Sequence, residues 1–337
     1  MRQPAMARQT MSRSKRPRSW IRLWPWLLVP LLLLCVFWQR QSIIDTVRLY
    51  GYDPPAPIVE LADRTDMTPW ARRLFYVNKP ELLERSAFNG ACSSRDEQTI
   101  VLGCYHPVDR GIFLFHVTDE RLSGVDQVTA AHEMLHAGYD RLSGRDKEQI
   151  NTLLGKFYES GLIDERIKSV INSYRKSEPN DIANEMHSIF GTEVATLTPE
   201  LEVYYKKYFN DRSKVVSLAQ DYQSEFTTRQ NKVAEYDAQL ANMKQQIANN
   251  NLRLESEESQ INSLRRAMDA QRAGNDIESY NANVPKYNAR VDAYNQLIDT
   301  TKGLVASYNQ IVETRNQLAV QVTELAHSID SSYQAIN

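Results

Sequence analysis

The sequence is poor in cysteine, glycine and proline: its 337 residues include 3 Cys, 12 Gly and 13 Pro. None of the cysteines has C-x-x-C spacing, which excludes a zinc knuckle or a dithiol redox pair. Basic residues are not in excess, since the net charge is −2, and Arg2, Arg8, Arg13, Lys15, Arg16 and Arg18 all fall before Trp20 with no acid among them. Everything beyond that tail is therefore acidic, and nucleic acid is not expected as a partner. Only one long apolar run is present, Leu23 to Phe37.

That run carries no charge and is bracketed by Trp20, Trp24, Trp26 and Trp38, as the aromatic belts of a bilayer-spanning helix would be. With Arg22 reaching back to the interface, residues 20–38 can cover roughly 30 Å of hydrocarbon. The residues that follow, Trp38-Gln39-Arg40-Gln41, offer no small-x-small cleavage site for a signal peptidase, and Leu34 stands where lipid attachment at Cys35 would need a small residue. The expectation is a single-pass anchor with a cytoplasmic N-terminus and an extracytoplasmic remainder. Across the membrane, Cys92 and Cys104 flank a short strand-like stretch, so a disulfide or two partly buried thiols are the alternatives, and the expected export favours the disulfide.

Composition divides the rest. Residues 1–19 read as a basic tail, 20–38 as the transmembrane helix, 39–67 as a linker containing Gly51-Tyr-Asp-Pro-Pro-Ala-Pro57, 68–210 as a folded domain and 211–337 as a helical hairpin. Within the domain, Arg73 to Val77, Thr99 to Tyr105 and Gly111 to Val117 are rich in β-branched and aromatic residues and are expected as strands. Helical spacing then governs Asp126 to Tyr139, Gly144 to Ser160, Ile163 to Tyr174 and Asn180 to Val194. Strands followed by helices predict an α+β domain.

From Phe226 an apolar residue recurs at heptad spacing through Val233, Tyr236, Leu240, Met243, Ile247 and onward to Met268. Gly274-Asn275-Asp276 interrupts it. The spacing resumes from Ile277 to Tyr333, with Tyr-Asn pairs at 280, 287, 294 and 308. Two arms of similar length around one break predict an antiparallel hairpin, bent by Pro285 near the start of its second arm. The same seam could instead join two copies of the chain as a homo-oligomer.

The chemistry is concentrated in Thr129-Ala-Ala-His132-Glu133-Met-Leu-His136-Ala-Gly-Tyr-Asp140. Histidines four apart project from one helical face and can share a Zn²⁺ ion, and the Glu between them lies beside the open coordination position. This H-E-x-x-H helix resembles that of the zincin metallopeptidases. Asn184-Glu185-Met-His-Ser-Ile-Phe-Gly-Thr192 resembles the segment that supplies a Glu ligand in the gluzincin group. The resemblance covers Thr129 to Val194 and extends to the clan rather than to the thermolysin-like family, because Ile189 replaces that family's Asp and the His136 to Glu185 interval is longer.

It implies a zinc peptidase acting on peptides or proteins, with His132, His136 and Glu185 as ligands and Glu133 as the residue that activates water. Asp140 would support the metal from behind its ligands. His187 and Glu193 are rival third ligands, and His187 could otherwise hydrogen-bond a transition-state oxygen. The competing functions are a structural or adaptor protein of the cell envelope with a silent metal domain, and a zinc peptidase acting on peptidoglycan cross-links.

Overall fold

A computed structural model describes residues 24–92, 102–108, 111–177 and 179–333. The chain divides into Met1–Asp53 and Pro54–Asn337. Among the described residues of the first unit, α1 (Trp24–Leu49) is the one helix. The expected spanning segment, 20–38, begins outside the described residues, and among those described no helix is long and apolar enough to cross a membrane. Within α1 the apolar stretch runs only from Trp24 to Trp38 before Gln39 and Arg40, about 22 Å of helix at 1.5 Å per residue, which is short of a hydrocarbon core of roughly 30 Å. The transmembrane helix of the sequence reading is therefore corrected.

The second unit is not α+β either: the protein is mostly helix (77%), with one sheet of three short strands among the described residues. It opens with α2 (Ala56–Arg64) and α3 (Pro69–Val77), then β1 (Glu81–Leu83) and α4 (Arg85–Ala91). β2 (Gly103–His106) and β3 (Gly111–Phe115) follow. Next come α5 (Val125–Asp140), α6 (Gly144–Ser160), α7 (Glu165–Ser177), α8 (Ile182–Glu193) and α9 (Pro199–Tyr205). The chain closes with α10 (Ser213–Ala273) and α11 (Ile277–Ile329).

Two stretches differ locally from expectation. The supposed linker, 39–67, contains α2, whose Ile58, Leu61 and Ala62 enter the main core. Pro55 stands at its N-cap, so prolines here start a helix rather than prevent one. Arg73 to Val77, expected as a strand, is the end of α3. Thr68 caps that helix by accepting from the Ala71 amide, Pro69 opens it, and Ala71, Leu74 and Phe75 are buried at helical spacing. Burial on one helical face outweighs the β-propensity of Phe-Tyr-Val.

The sheet has the order β1-β3-β2, with β1 parallel and β2 antiparallel to β3. Pairing of Leu82 with Leu114 and of Cys104 with Phe113 sets the register. The start of the strand expected over Thr99 to Tyr105 lies outside the described residues. Cys92 and Cys104 form a disulfide, with Cα atoms 6.0 Å apart, tying the end of α4 to β2. Closing a loop of this length removes about 3 kcal/mol of freedom from the unfolded chain. Reduction is accordingly expected to lower stability by about that amount, measured as a shift of the denaturant midpoint with and without a thiol reductant.

α5 lies at the centre, buried along almost its whole length, with α2, α3, the sheet, α8 and α10 around it. Gly124 begins the helix at φ +105°, a left-handed conformation that L side chains rarely adopt. α10 passes directly over this point, since a Cβ on Gly124 would stand 3.1 Å from the Leu218 carbonyl oxygen.

α10 and α11 pair along their lengths around the turn at 274–276. The helix continues through Pro285. The seam residues, including Tyr280, Tyr287, Tyr294 and Tyr308, are half-buried rather than sealed, as befits a pair of helices with no third layer. At its base the hairpin is anchored in a second cluster formed by buried Leu122, Val125 and Leu325, with Leu102, Tyr222, Phe226 and Ile329 packed around them.

Candidate metal centre

α5 carries His132, Glu133 and His136 at the bottom of a cavity of about 630 Å³, and α8 brings Glu185 to the same place. The Glu185 carboxylate approaches both imidazoles: Oε1 is 3.4 Å from His136 Nε2 and Oε2 is 3.7 Å from His132 Nε2. Among the described residues these three form a group of potential metal ligands, one donor atom from each, all within 4.8 Å of one another. Ligands at about 2.0–2.1 Å around a tetrahedral zinc ion stand about 3.4 Å apart, so the spacing suits such an ion.

Burial strengthens the fit. Glu185 is 5% exposed, yet its Oε2 has no hydrogen-bond partner, an arrangement that costs free energy unless a cation or water completes it. Burial alone would raise the Glu185 pKa, but the two histidines beside it hold it below the ordinary carboxylate value. Burial opposes charge on His132 as well, and the nearby Glu185 carboxylate outweighs it and raises the pKa.

Glu133 follows His132 and is 5% exposed. It is pressed against β2 at Gly103, where a Cβ would fall 2.7 Å from Glu133 Oε1 and 2.7 Å from Thr129 Cγ2. Gly103 is a position beside the candidate site that the sequence reading missed. Its role depends on how closely a strand approaches a helix 26 residues later in the sequence, and no local pattern records that.

The other candidates are placed elsewhere. Asp140 is exposed at the cavity's far end, accepting a hydrogen bond from the Tyr105 hydroxyl at 3.3 Å. Glu193 lines the same cavity, but its Oε2 accepts from Arg166 at 2.9 Å and from Gln223 at 2.8 Å. His187 is fully buried behind α8 within the rings of Tyr139, Tyr204, Tyr205 and Tyr208. Its Nε2 lies 2.9 Å from the Tyr204 hydroxyl. Burial, together with the neighbouring His136 and His132, pushes its pKa well below the usual value, so it is neutral. Neither Glu193 nor His187 belongs to the group that converges on the site.

α8 is held in place from both sides. Tyr205 donates to the His187 carbonyl at 2.7 Å, and Arg212, 8% exposed, donates to the carbonyls of Phe190, Val194 and Ala195 at the helix's end while pairing with Glu202. At the start of α5, Asp126 accepts from the Val117 amide at 3.0 Å and contacts His116 Nδ1 at 2.7 Å. His116 and Asp126 thus fix the first turn of the helix. Comparison of the chain with protein-family models, with curated proteins and with solved structures finds no match to any of them.

Proposed function

We propose that the protein is a zinc-dependent peptidase that hydrolyses amide bonds of peptides or proteins. The reading is carried by one observation: two imidazoles and a buried carboxylate with an unsatisfied oxygen converge beside a second buried carboxylate in an accessible cavity. His132, His136 and Glu185 would hold the ion, which when bound supplies Lewis acidity toward a carbonyl oxygen and makes water more acidic.

The remaining work falls to Glu133. Its carboxylate accepts a proton from the attacking water as the new C–O bond forms at the carbonyl carbon. The same proton then passes to the leaving nitrogen as the C–N bond breaks. Gly103 leaves room for that carboxylate between β2 and α5, and the core behind α5 fixes the helix that presents it. The Cys92–Cys104 disulfide supports an oxidising working compartment.

Zinc titration with a competing chelator tests the reading. One ion per chain is expected at pH 8, and Glu185→Gln should weaken binding by about 100-fold or more, because two neutral imidazoles retain the ion poorly. Affinity should also fall in acid. A raised His132 pKa means that protonation competes with zinc from a higher pH than for a free imidazole, by up to about tenfold per pH unit below that pKa. Sub-stoichiometric zinc at pH 8, or affinity indifferent to Glu185→Gln, would remove the centre.

A further inference from the structure

The cavity has two chemically different ends. Its floor is one face of α5, where Val128, His132, His136 and Asp140 recur every four residues and all line the space. At 1.5 Å per residue that face is about 18 Å long, with the metal ligands in its middle. Beyond His136 the walls are charged: Asp140, Lys147 and Asp181 stand there, with the Lys147 ammonium 4.8 Å above the Tyr139 ring. Beside Val128, one turn before His132, the walls are Leu102, Tyr222 and Ile329.

Tyr222 belongs to α10 and Ile329 to α11, so this end of the cavity is built by the base of the helical hairpin. The hairpin is firmly seated there. Leu122, Val125 and Leu325, none more than 1% exposed, pack beneath the two residues. Arg85 donates to the carbonyls of His327, Asp330 and Tyr333, Asn89 donates to that of Ser331 at 2.8 Å, and the Ser328 hydroxyl donates to Asp119 at 3.1 Å. The charges nearest this end, Glu193 and Arg166, also line the cavity and pair with each other at 2.9 Å, so they offset one another beside the apolar wall of Leu102, Val128, Tyr222 and Ile329.

We infer that the base of the helical hairpin is a specificity pocket, in which Tyr222 and Ile329, with Val128 and Leu102, receive an apolar side chain of the peptide beside the bond to be cleaved. This inference rests on the peptidase reading. It gives the hairpin a part in substrate choice: chain segments some 80 and 190 residues beyond α5 close the cavity around the substrate. A leucine-sized side chain fills such a pocket by displacing water from apolar walls, whereas a carboxylate would be desolvated there without a partner.

The test uses the full zinc-loaded chain and two peptide hydroxamates that differ only in a leucine or glutamate side chain, with affinities measured by calorimetry and cleavage profiled on a mixed peptide library. The leucyl compound should bind at least tenfold tighter, and cleaved bonds should be enriched in neighbouring apolar residues. Tyr222→Ala should reduce the preference about tenfold. Ile329→Lys, which keeps an aliphatic stem against the cluster, should narrow or reverse it in favour of glutamate; a thermal melt of each variant shows that the hairpin is still seated. Equal affinities in the wild-type protein, or a preference unchanged in Ile329→Lys, overturns the pocket while leaving the peptidase intact. No hydroxamate binding and no cleavage by the zinc-loaded wild type overturns the peptidase reading, and the pocket with it.

Discussion

Glu133→Gln is expected to bind zinc as the wild-type protein does and to lose peptide hydrolysis by about three orders of magnitude. The amide is nearly isosteric with the carboxylate, so it should fit the same gap against Gly103, where no extra atom is tolerated. The proposed metal ligands are other residues, and Glu133 is only one of the lesser charges that raise the His132 pKa, so its neutralisation slightly eases deprotonation of that imidazole. What the amide cannot do is accept a proton from water, and a positioned general base contributes about 10²- to 10⁴-fold. Metal analysis and turnover of an unstructured protein substrate, measured on the same preparation, provide the check. Full activity in this variant would remove Glu133 from the mechanism even if zinc were present.

Arg212→Ala should cost about 3–5 kcal/mol, a larger loss of stability than reduction of the disulfide. Arg212 stands at the N-cap of α10, and its guanidinium serves three backbone carbonyls that α8 cannot satisfy at its own end, besides the Glu202 carboxylate. Truncation leaves the buried carbonyls of Phe190 and Val194 without their donor, which is where loss of a partner costs most, whereas the Glu202 side chain, 39% exposed, is taken up by solvent. Arg212→Lys restores the charge but not the planar fork, so it should recover only part of the loss. Urea denaturation of the three proteins decides the matter, and a midpoint for Arg212→Ala within about 1 kcal/mol of wild type would mean that the end of α8 is held by something else.

How much of this could be read in the sequence depends on how local the cause is. His132 and His136 are legible because a four-residue interval on a helix dictates a shared face. The helix over Gly144 to Ser160 is announced by Ser143, whose hydroxyl accepts from the Asp146 amide. The break at 274–276 is legible because Gly274 and Asn275 interrupt two long periodic arms, and Asn275 does adopt a positive φ of 60°. Glu185 is reached only through a motif resemblance; spacing alone gives no reason to prefer it to Glu193, and Arg166 and Gln223 are what remove Glu193 from contention.

The failures have a common origin. β1 is three residues long and carries no alternation to detect, yet it is paired because α2 and α4 place it beside β3. α3 reads as a strand until its buried face is seen. The α+β assignment gave strand-like residues too much weight and missed the helices that flank them. The apolar run looks like a membrane span, yet within the described helix it lasts only from Trp24 to Trp38. Gly103, Tyr222 and Ile329 are invisible because their roles arise from contacts between distant parts of the chain.

The two arms of the hairpin are rooted separately, α10 through Arg212 and α11 through the Arg85 and Asn89 clasp. Their only covalent joint is the three-residue turn at the tip, about 90 Å along α10 and about 80 Å along α11 from those roots at 1.5 Å per residue. A protease that nicked the chain at Gly274 would therefore produce two polypeptides but not two particles, since each fragment keeps its own hold on the globular part as well as its half of the seam. The tip is for the same reason a place where foreign sequence can be spliced in without disturbing the distant cavity.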